Sequence, residues 1–182
     1  MAIEIEKKYR LSDDQRDLVL KRLEKIGARF RREEFEENTL YDGNALVKEQ
    51  SILRLRRIGK SAVLTFKQRI PTTSAIKRRR EDETRVDDPE AMDAILDGLG
   101  FTRALVYEKR RQTWSLGHAE ITIDELPFGY FMEIEGSEED IRDVERRLNI
   151  KGLRGVHSTY PELSRKFGRQ FGNVIESRFD ES

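Results

Sequence analysis

The sequence contains no cysteine, no long apolar run and no excess charge of either sign, and each absence excludes something. Without cysteine there is no disulfide framework, thiolate nucleophile or cysteine metal site. No stretch approaches the roughly 20 apolar residues of a membrane span, and the N-terminus lacks the apolar segment of a signal peptide. The expectation is a soluble chain with no membrane partner and the cytoplasm as its default location. Lysine plus arginine equals aspartate plus glutamate at 35 each, for a net charge of zero. That balance argues against a nucleic-acid partner, even though Lys77-Arg78-Arg79-Arg80 and Arg165-Lys166 could attract phosphates. His118 and His157 read as a turn and a loop residue, and neither has zinc-ligand spacing.

What is present in unusual amount is charge of both signs: 38% of residues, against about a quarter in ordinary domains. The 182 residues suit a single domain over 1–182, with a core of about 2–168 and a fraying tail of about 172–182. Ser12 and Gln15 form a capping-box pattern for a helix running to about Ile26, with Leu18, Val19, Leu23 and Ile26 inward. Asp88-Pro89 opens a second helix, Glu90 to Leu99. Ser137 caps a third reaching about Leu148, and a last one starts near Thr159 and ends near Gly168. Strands are expected at the N-terminus, at 38–42, 51–57, 62–68, 77–86, 104–114, 119–124 and 130–135. Gly59-Lys60 makes the hairpin between the third and fourth. The expected class is α+β with about eight strands.

Period-two alternation gives these strands one apolar and one charged face. Glu4, Glu6 and Lys8 share a face; so do Arg54 and Arg56, opposite Leu53 and Leu55. Lys109 aligns with Arg111, Asp124 lies opposite Ile121 and Ile123, and Glu133 and Glu135 lie opposite Met132 and Ile134. Cationic strands in mid-chain are thus bracketed by carboxylate strands. A sheet of about eight strands can close into a barrel, and a lumen lined this way would suit phosphate chains. Arginine and lysine clamp phosphate oxygens, and carboxylates hold hard divalent cations that bridge to the same oxygens. From alternation alone, an open sheet whose charges pair across strands in solvent stands ahead of the lumen.

The order of the motifs adds what alternation lacks. Glu4-x-Glu6-x-Lys8, Leu53-Arg54-Leu55-Arg56, Leu64-Thr65-Phe66-Lys67, Lys77-x-Arg79-x-Glu81, Glu108-Lys109-Arg110-Arg111, Ile121-Thr122-Ile123-Asp124 and Phe131-Met132-Glu133-Ile134-Glu135-Gly136 together resemble the CYTH family over roughly residues 2–168. This family includes class IV adenylyl cyclases and thiamine triphosphatases, the triphosphate tunnel metalloenzymes. The resemblance implies an eight-stranded antiparallel closed β-barrel with helices packed outside, its lumen binding a triphosphate. It implies Mg2+ or Mn2+ on Glu4, Glu6, Glu133 and Glu135, with Asp124 as a further acidic ligand. It implies phosphate contacts from Lys8, Arg54, Arg56, Lys67, Lys109 and Arg111. Lys77 and Arg79 fit by parity, though a one-residue slip would substitute Arg78 and Arg80.

In this reading Glu4, Glu6, Lys8, Glu133 and Glu135 are the catalytic set. The substrate is a triphosphate-bearing small molecule: ATP, thiamine triphosphate or tripolyphosphate. Thr39-Leu40-Tyr41-Asp42-Gly43 and Asp124-Glu125-Leu126-Pro127-Phe128-Gly129 make the layout nearer the class IV cyclase branch, which also suggests a homodimer. ATP cyclisation, triphosphate hydrolysis and non-catalytic polyphosphate or nucleotide binding all fit the sequence.

Overall fold

The computed structural model describes residues 5–48, 51–70, 78–150 and 152–180. Eleven strands and five helices follow in the order β1 (Glu6–Leu11), α1 (Asp13–Lys25), β2 (Arg29–Asp42), α2 (Asn44–Lys48), β3 (Ser51–Ile58), β4 (Ser61–Ile70), β5 (Arg78–Val86), α3 (Pro89–Gly98), β6 (Thr102–Leu116), β7 (Ala119–Leu126), β8 (Gly129–Glu135), α4 (Glu138–Leu148), β9 (Arg154–Val156), α5 (Tyr160–Phe167), β10 (Arg169–Phe171) and β11 (Val174–Ser177). This is the sheet-dominated α+β class expected. The hydrogen-bonded order is β5-β4-β3-β2-β6-β7-β8-β1-β9, with β11 joining β10 and β6. Among the described residues that path ends at β5 and β9, so the sheet is not closed by hydrogen bonds there. No described helix is long and apolar enough to cross a membrane. Contacts divide the chain into two compact units. The first holds Glu36–Glu108 and Tyr160–Arg178; the second holds Ala2–Phe35, Lys109–Thr159 and Phe179–Ser182.

In the second unit, α1 starts where the capping box predicts: Ser12 accepts from the Gln15 amide, and the Gln15 side chain accepts from the Ser12 amide. The Ser137–Asp140 pair does the same for α4, which ends at Asn149 in the left-handed conformation at φ 49°. Val19 and Leu23 of α1 and Ile141, Val144 and Leu148 of α4 pack on Tyr9, Trp114, Ile121, Ile123, Met132 and Ile134. Fully burying each such side chain stabilises by about 1.5–3 kcal/mol. Leu18, expected inward, is 45% exposed: the buried stripe of α1 follows Val19–Leu23, an i, i+4 pair, and Leu18 falls beside it. Lys7, the one charge on the apolar face of β1, is neutralised there by Glu145 of α4 at 2.5 Å. The Tyr9 hydroxyl donates to the same carboxylate, and burial pushes its pKa up to about 12.

In the first unit the apolar face of β3 and β4 meets α2 and α3 through Tyr41, Leu46, Leu53, Leu55 and Leu96. The expected fraying tail is instead a hairpin. Arg169–Phe171 pairs antiparallel with Val174–Ser177, and the latter adds in parallel to Leu105–Tyr107. Gly168 permits it, because a Cβ there would stand 2.6 Å from the Ser164 carbonyl oxygen and 2.7 Å from that of Glu176. Arg178 closes the segment by donating to Glu37, Glu108 and Glu176 at 2.5, 2.8 and 2.7 Å.

Asp93 of α3 accepts from the Tyr41 hydroxyl at 2.6 Å and from Arg103 Nε at 3.0 Å. The Arg103 hydrogen bonds hold its carboxyl below the usual carboxylate range. A carboxyl whose pKa is lower folded than unfolded contributes stability that is present above the unfolded value, about 3.9, and lost as pH falls through the folded one. Denaturant midpoints compared at pH 6 and pH 3 should therefore fall less in Asp93→Asn than in the parent chain. Equal falls would mean the triad carries no proton linkage.

Candidate active site

On the second unit's sheet, the face away from α1 and α4 carries the charges in register. One row reads Glu120, Glu135, Glu6 across β7, β8 and β1; the next reads Thr122, Glu133, Lys8; the next reads Arg111, Asp124, Phe131, Arg10. Direct cross-strand partners lie on one side of a sheet, so the helix-packed core on the other side forces these residues together.

The middle of this face is a tight ionic cluster. Arg111 donates from Nε and Nη2 to the two oxygens of Asp124, both at 2.6 Å, and from Nη2 to Glu133 Oε2 at 2.6 Å. Lys8 Nζ lies 3.1 Å from Glu133 Oε1 and donates to the Ser158 carbonyl at 3.2 Å. Lys109 Nζ lies 3.8 Å from Asp124 Oδ1. Asp124 is 0% and Lys8 7% exposed. Five of the sequence-predicted residues (Lys8, Lys109, Arg111, Asp124 and Glu133) are thus one network, and Glu6 and Glu135 stand directly opposite one another.

The fit of a divalent cation rests on donor chemistry. Glu6, Glu135 and Glu120 offer hard carboxylate oxygens in one row, and like charges directly opposite are destabilising until a cation separates them. Among the described residues no three such groups are already gathered at coordinating distance. Glu4 lies outside the described residues. Glu120 was missed in the sequence; its alternation with Thr122 and Asp124 was the available signal.

The first unit carries a second charged face. Arg54 pairs across to Leu40 and Thr65, Arg56 to Asn38 and Val63, and Thr65 to Glu83. Arg54 and Arg56 each reach Glu83 at 3.9 Å, and the Thr65 hydroxyl donates to it at 2.7 Å. Burial alone would raise the Glu83 pKa, but the Thr65 hydrogen bond with Arg56 and Arg54 holds it below its ordinary value. Lys67 lies 2.8 Å from Glu81. The Nε atoms of Arg54 and Arg56 are buried without hydrogen-bond partners among the described residues. The sequence did not single out Glu83, nor Glu36 and Asn38, which are buried at 2% and 0% exposure and joined by a 3.3 Å bond from Asn38 Nδ2. Lys77 lies outside the described residues. Arg79 pairs with Arg69, in phase with Glu81–Lys67 and Glu83–Thr65, so the register of the arginine run has Arg79 in step with these residues rather than Arg78 or Arg80; its side chain is outside the description.

A family model described as the CYTH domain matches residues 2–158. The chain is 29% identical over 170 residues to a Methanocaldococcus jannaschii protein named "Putative adenylate cyclase", spanning 90% of this chain and 95% of that protein. A solved structure of a Pyrococcus horikoshii protein superposes with a TM-score of 0.69 at 26% identity, covering 88% of this chain and 99% of that one. The fold is also that of a Hippeastrum protein described as a "putative adenylyl cyclase" with a dominant triphosphatase activity. That structure has a TM-score of 0.67 and 20% identity, with 90% of this chain and 96% of that one covered.

Proposed function

The chain belongs to the CYTH domain family, and we propose that it is a divalent-metal-dependent enzyme acting on a triphosphate, with cyclisation of ATP to cyclic AMP and pyrophosphate as its preferred chemistry. The observation that carries this reading is the buried gathering of Lys8, Lys109 and Arg111 around Asp124 and Glu133. Charges are expensive to bury, and this arrangement presents guanidinium and ammonium donors at a carboxylate cluster, which is what a metal-bridged phosphate chain requires. The name of the Methanocaldococcus relative favours cyclisation. The reading includes closure of the sheet into the eight-stranded barrel that the family resemblance implies. It is supported by the way each unit buries its apolar face under helices.

Glu6, Glu133 and Glu135, with Glu4, would hold Mg2+ or Mn2+, and Asp124 would share oxygens that Arg111 already engages. When bound, the cation polarises the phosphoryl group under attack. The resemblance gives Lys8, Lys109, Arg111, Arg54, Arg56, Lys67, Lys77 and Arg79 the task of neutralising and orienting phosphate oxygens. In cyclisation the 3′-oxygen bonds to the α-phosphorus, the bond to the β-phosphate bridging oxygen breaks, and the hydroxyl proton is released. In hydrolysis, water attacks the terminal phosphorus instead. The same clamp serves both, and the outcome depends on which phosphorus is held in line. The described activity of the Hippeastrum protein favours hydrolysis as the second reading.

Purified protein incubated with ATP, tripolyphosphate and thiamine triphosphate under Mg2+ or Mn2+ separates the readings. Cyclic AMP is the expected product from ATP, and orthophosphate release would install the triphosphatase. Binding without turnover would reduce the protein to a phosphate-binding module.

A further inference from the structure

The row that joins Glu133 to Lys8 begins on β6 and β7 with two threonines. Thr113 stands directly opposite Thr122, and Thr122 directly opposite Glu133. Their neighbours Trp114 and Ile121 lie in the helix-packed core, which puts both threonines on the charged face. Thr113 is 1% and Thr122 4% exposed, and neither hydroxyl has a hydrogen-bond partner among the described residues. Directly opposed threonines commonly hydrogen-bond to each other, and a hydroxyl buried without a partner carries its full desolvation penalty. Such a group calls for a reason.

The adjoining ion pairs supply one. Arg111 Nη2 donates to Asp124 Oδ2 and to Glu133 Oε2, each at 2.6 Å, while Lys8 faces the other Glu133 oxygen at 3.1 Å. Glu133 Oε2 therefore depends on Arg111. A guanidinium that turns to a phosphate oxygen leaves that carboxylate oxygen without its donor, and the Glu133 side chain is only 12% exposed. An anion left unpaired in such a place is costly. Thr122 is the neighbour with a proton to give: directly opposed residues have Cβ atoms about 5 Å apart on one side of the sheet, and a threonine hydroxyl rotates to suit its acceptor. Thr113, opposite in turn, can donate to the Thr122 oxygen, and hydrogen bonds linked in a chain strengthen one another.

We propose that Thr122, backed by Thr113, is a positioning residue for Glu133: its hydroxyl donates to Glu133 Oε2 when Arg111 moves to a phosphate, and so holds the carboxylate in place. A ligating carboxylate with a donor behind it keeps the orientation that a cation needs. This role rests on the reading that the face takes a triphosphate. Neither threonine is among the metal or phosphate ligands that the family resemblance implies.

The test combines equilibrium denaturation of the full chain in EDTA with calorimetric binding of tripolyphosphate in the same buffer. The proteins are the parent, Thr122→Val, Thr122→Ser, Glu133→Gln and the double variant Thr122→Val with Glu133→Gln. Valine keeps the shape and removes a hydroxyl that has no partner before phosphate arrives, so the denaturant midpoint of Thr122→Val should match or exceed that of the parent. Its tripolyphosphate affinity should fall on the order of tenfold, as for loss of a hydrogen bond to a charged group. Thr122→Ser keeps the donor and should stay within about threefold of the parent. In the Glu133→Gln background the loss from Thr122→Val should shrink below about threefold, because the charged acceptor is gone. A loss of the same size in both backgrounds would overturn the proposal, as would a lowered midpoint in Thr122→Val with no change in binding. Parent binding that Thr122→Val leaves untouched removes the threonine's role and keeps the triphosphate reading; a parent chain that binds no tripolyphosphate removes both.

Discussion

Glu133→Gln is expected to lower metal-dependent turnover of the preferred triphosphate by about 100-fold or more, the scale on which removal of a preorganised electrostatic group acts. Glu133 joins the two halves of the cluster, with Oε1 facing Lys8 at 3.1 Å and Oε2 accepting from Arg111 at 2.6 Å. Its neighbour on the same face two residues on, Glu135, opposes Glu6. Glutamine keeps the shape and loses the charge, so the cation site loses a hard ligand while Lys8 and Arg111 lose a competitor for phosphate. Tripolyphosphate binding in EDTA should consequently hold or tighten in the variant while kcat collapses. A kcat within about threefold of the parent value would remove Glu133 from the catalytic set. The same pair of measurements separates an enzyme from a binding module, because a module has binding to preserve and no turnover to lose.

The residues of this site were legible wherever a single strand carries its own pattern. Arg54 and Arg56 could be put on one face because Leu53 and Leu55 must take the other. Both capping boxes were readable because Ser12–Gln15 and Ser137–Asp140 are local. What a strand cannot state alone is its neighbour. Glu83, Glu36 and Asn38 join the first unit's charged face through pairings with Thr65, Ile58 and Arg56, and no spacing within β2 or β5 encodes those pairings. β2 begins at Arg29 rather than near Asn38, and its first half was hidden because Arg29–Phe35 is mostly charged and exposed. Its backbone is strand without an alternating signal, and Phe30 marks it only by packing edge-on to Trp114 at 5.3 Å. Strands of three or four residues, such as β9, β10 and β11, are too short for periodicity to show.

Asp124→Asn carries the second large effect, and here stability is the first readout. Asp124 is 0% exposed and engages Arg111 through two hydrogen bonds, with Lys109 at 3.8 Å. Breaking a buried pair by removing one charge typically costs about 3–5 kcal/mol, since the partner charge remains buried. Equilibrium denaturation in EDTA should therefore show a loss of about 3 kcal/mol for Asp124→Asn. A residue that acted only as a metal ligand would lose metal-dependent turnover and show no such loss without metal. The cations left behind by Asp124 are also the proposed phosphate clamp, which gives the experiment its sharper arm. An anion that binds the folded chain stabilises it by RT ln(1 + [L]/Kd), and tripolyphosphate meeting an Arg111 and Lys109 that have lost the Asp124 carboxylate should bind the variant more tightly than the parent. Added tripolyphosphate is then expected to raise the melting temperature of Asp124→Asn by more than it raises that of the parent, recovering part of the deficit. An equal rise in both proteins would mean that phosphate does not replace the Asp124 carboxylate, and Arg111 and Lys109 would return to a structural role.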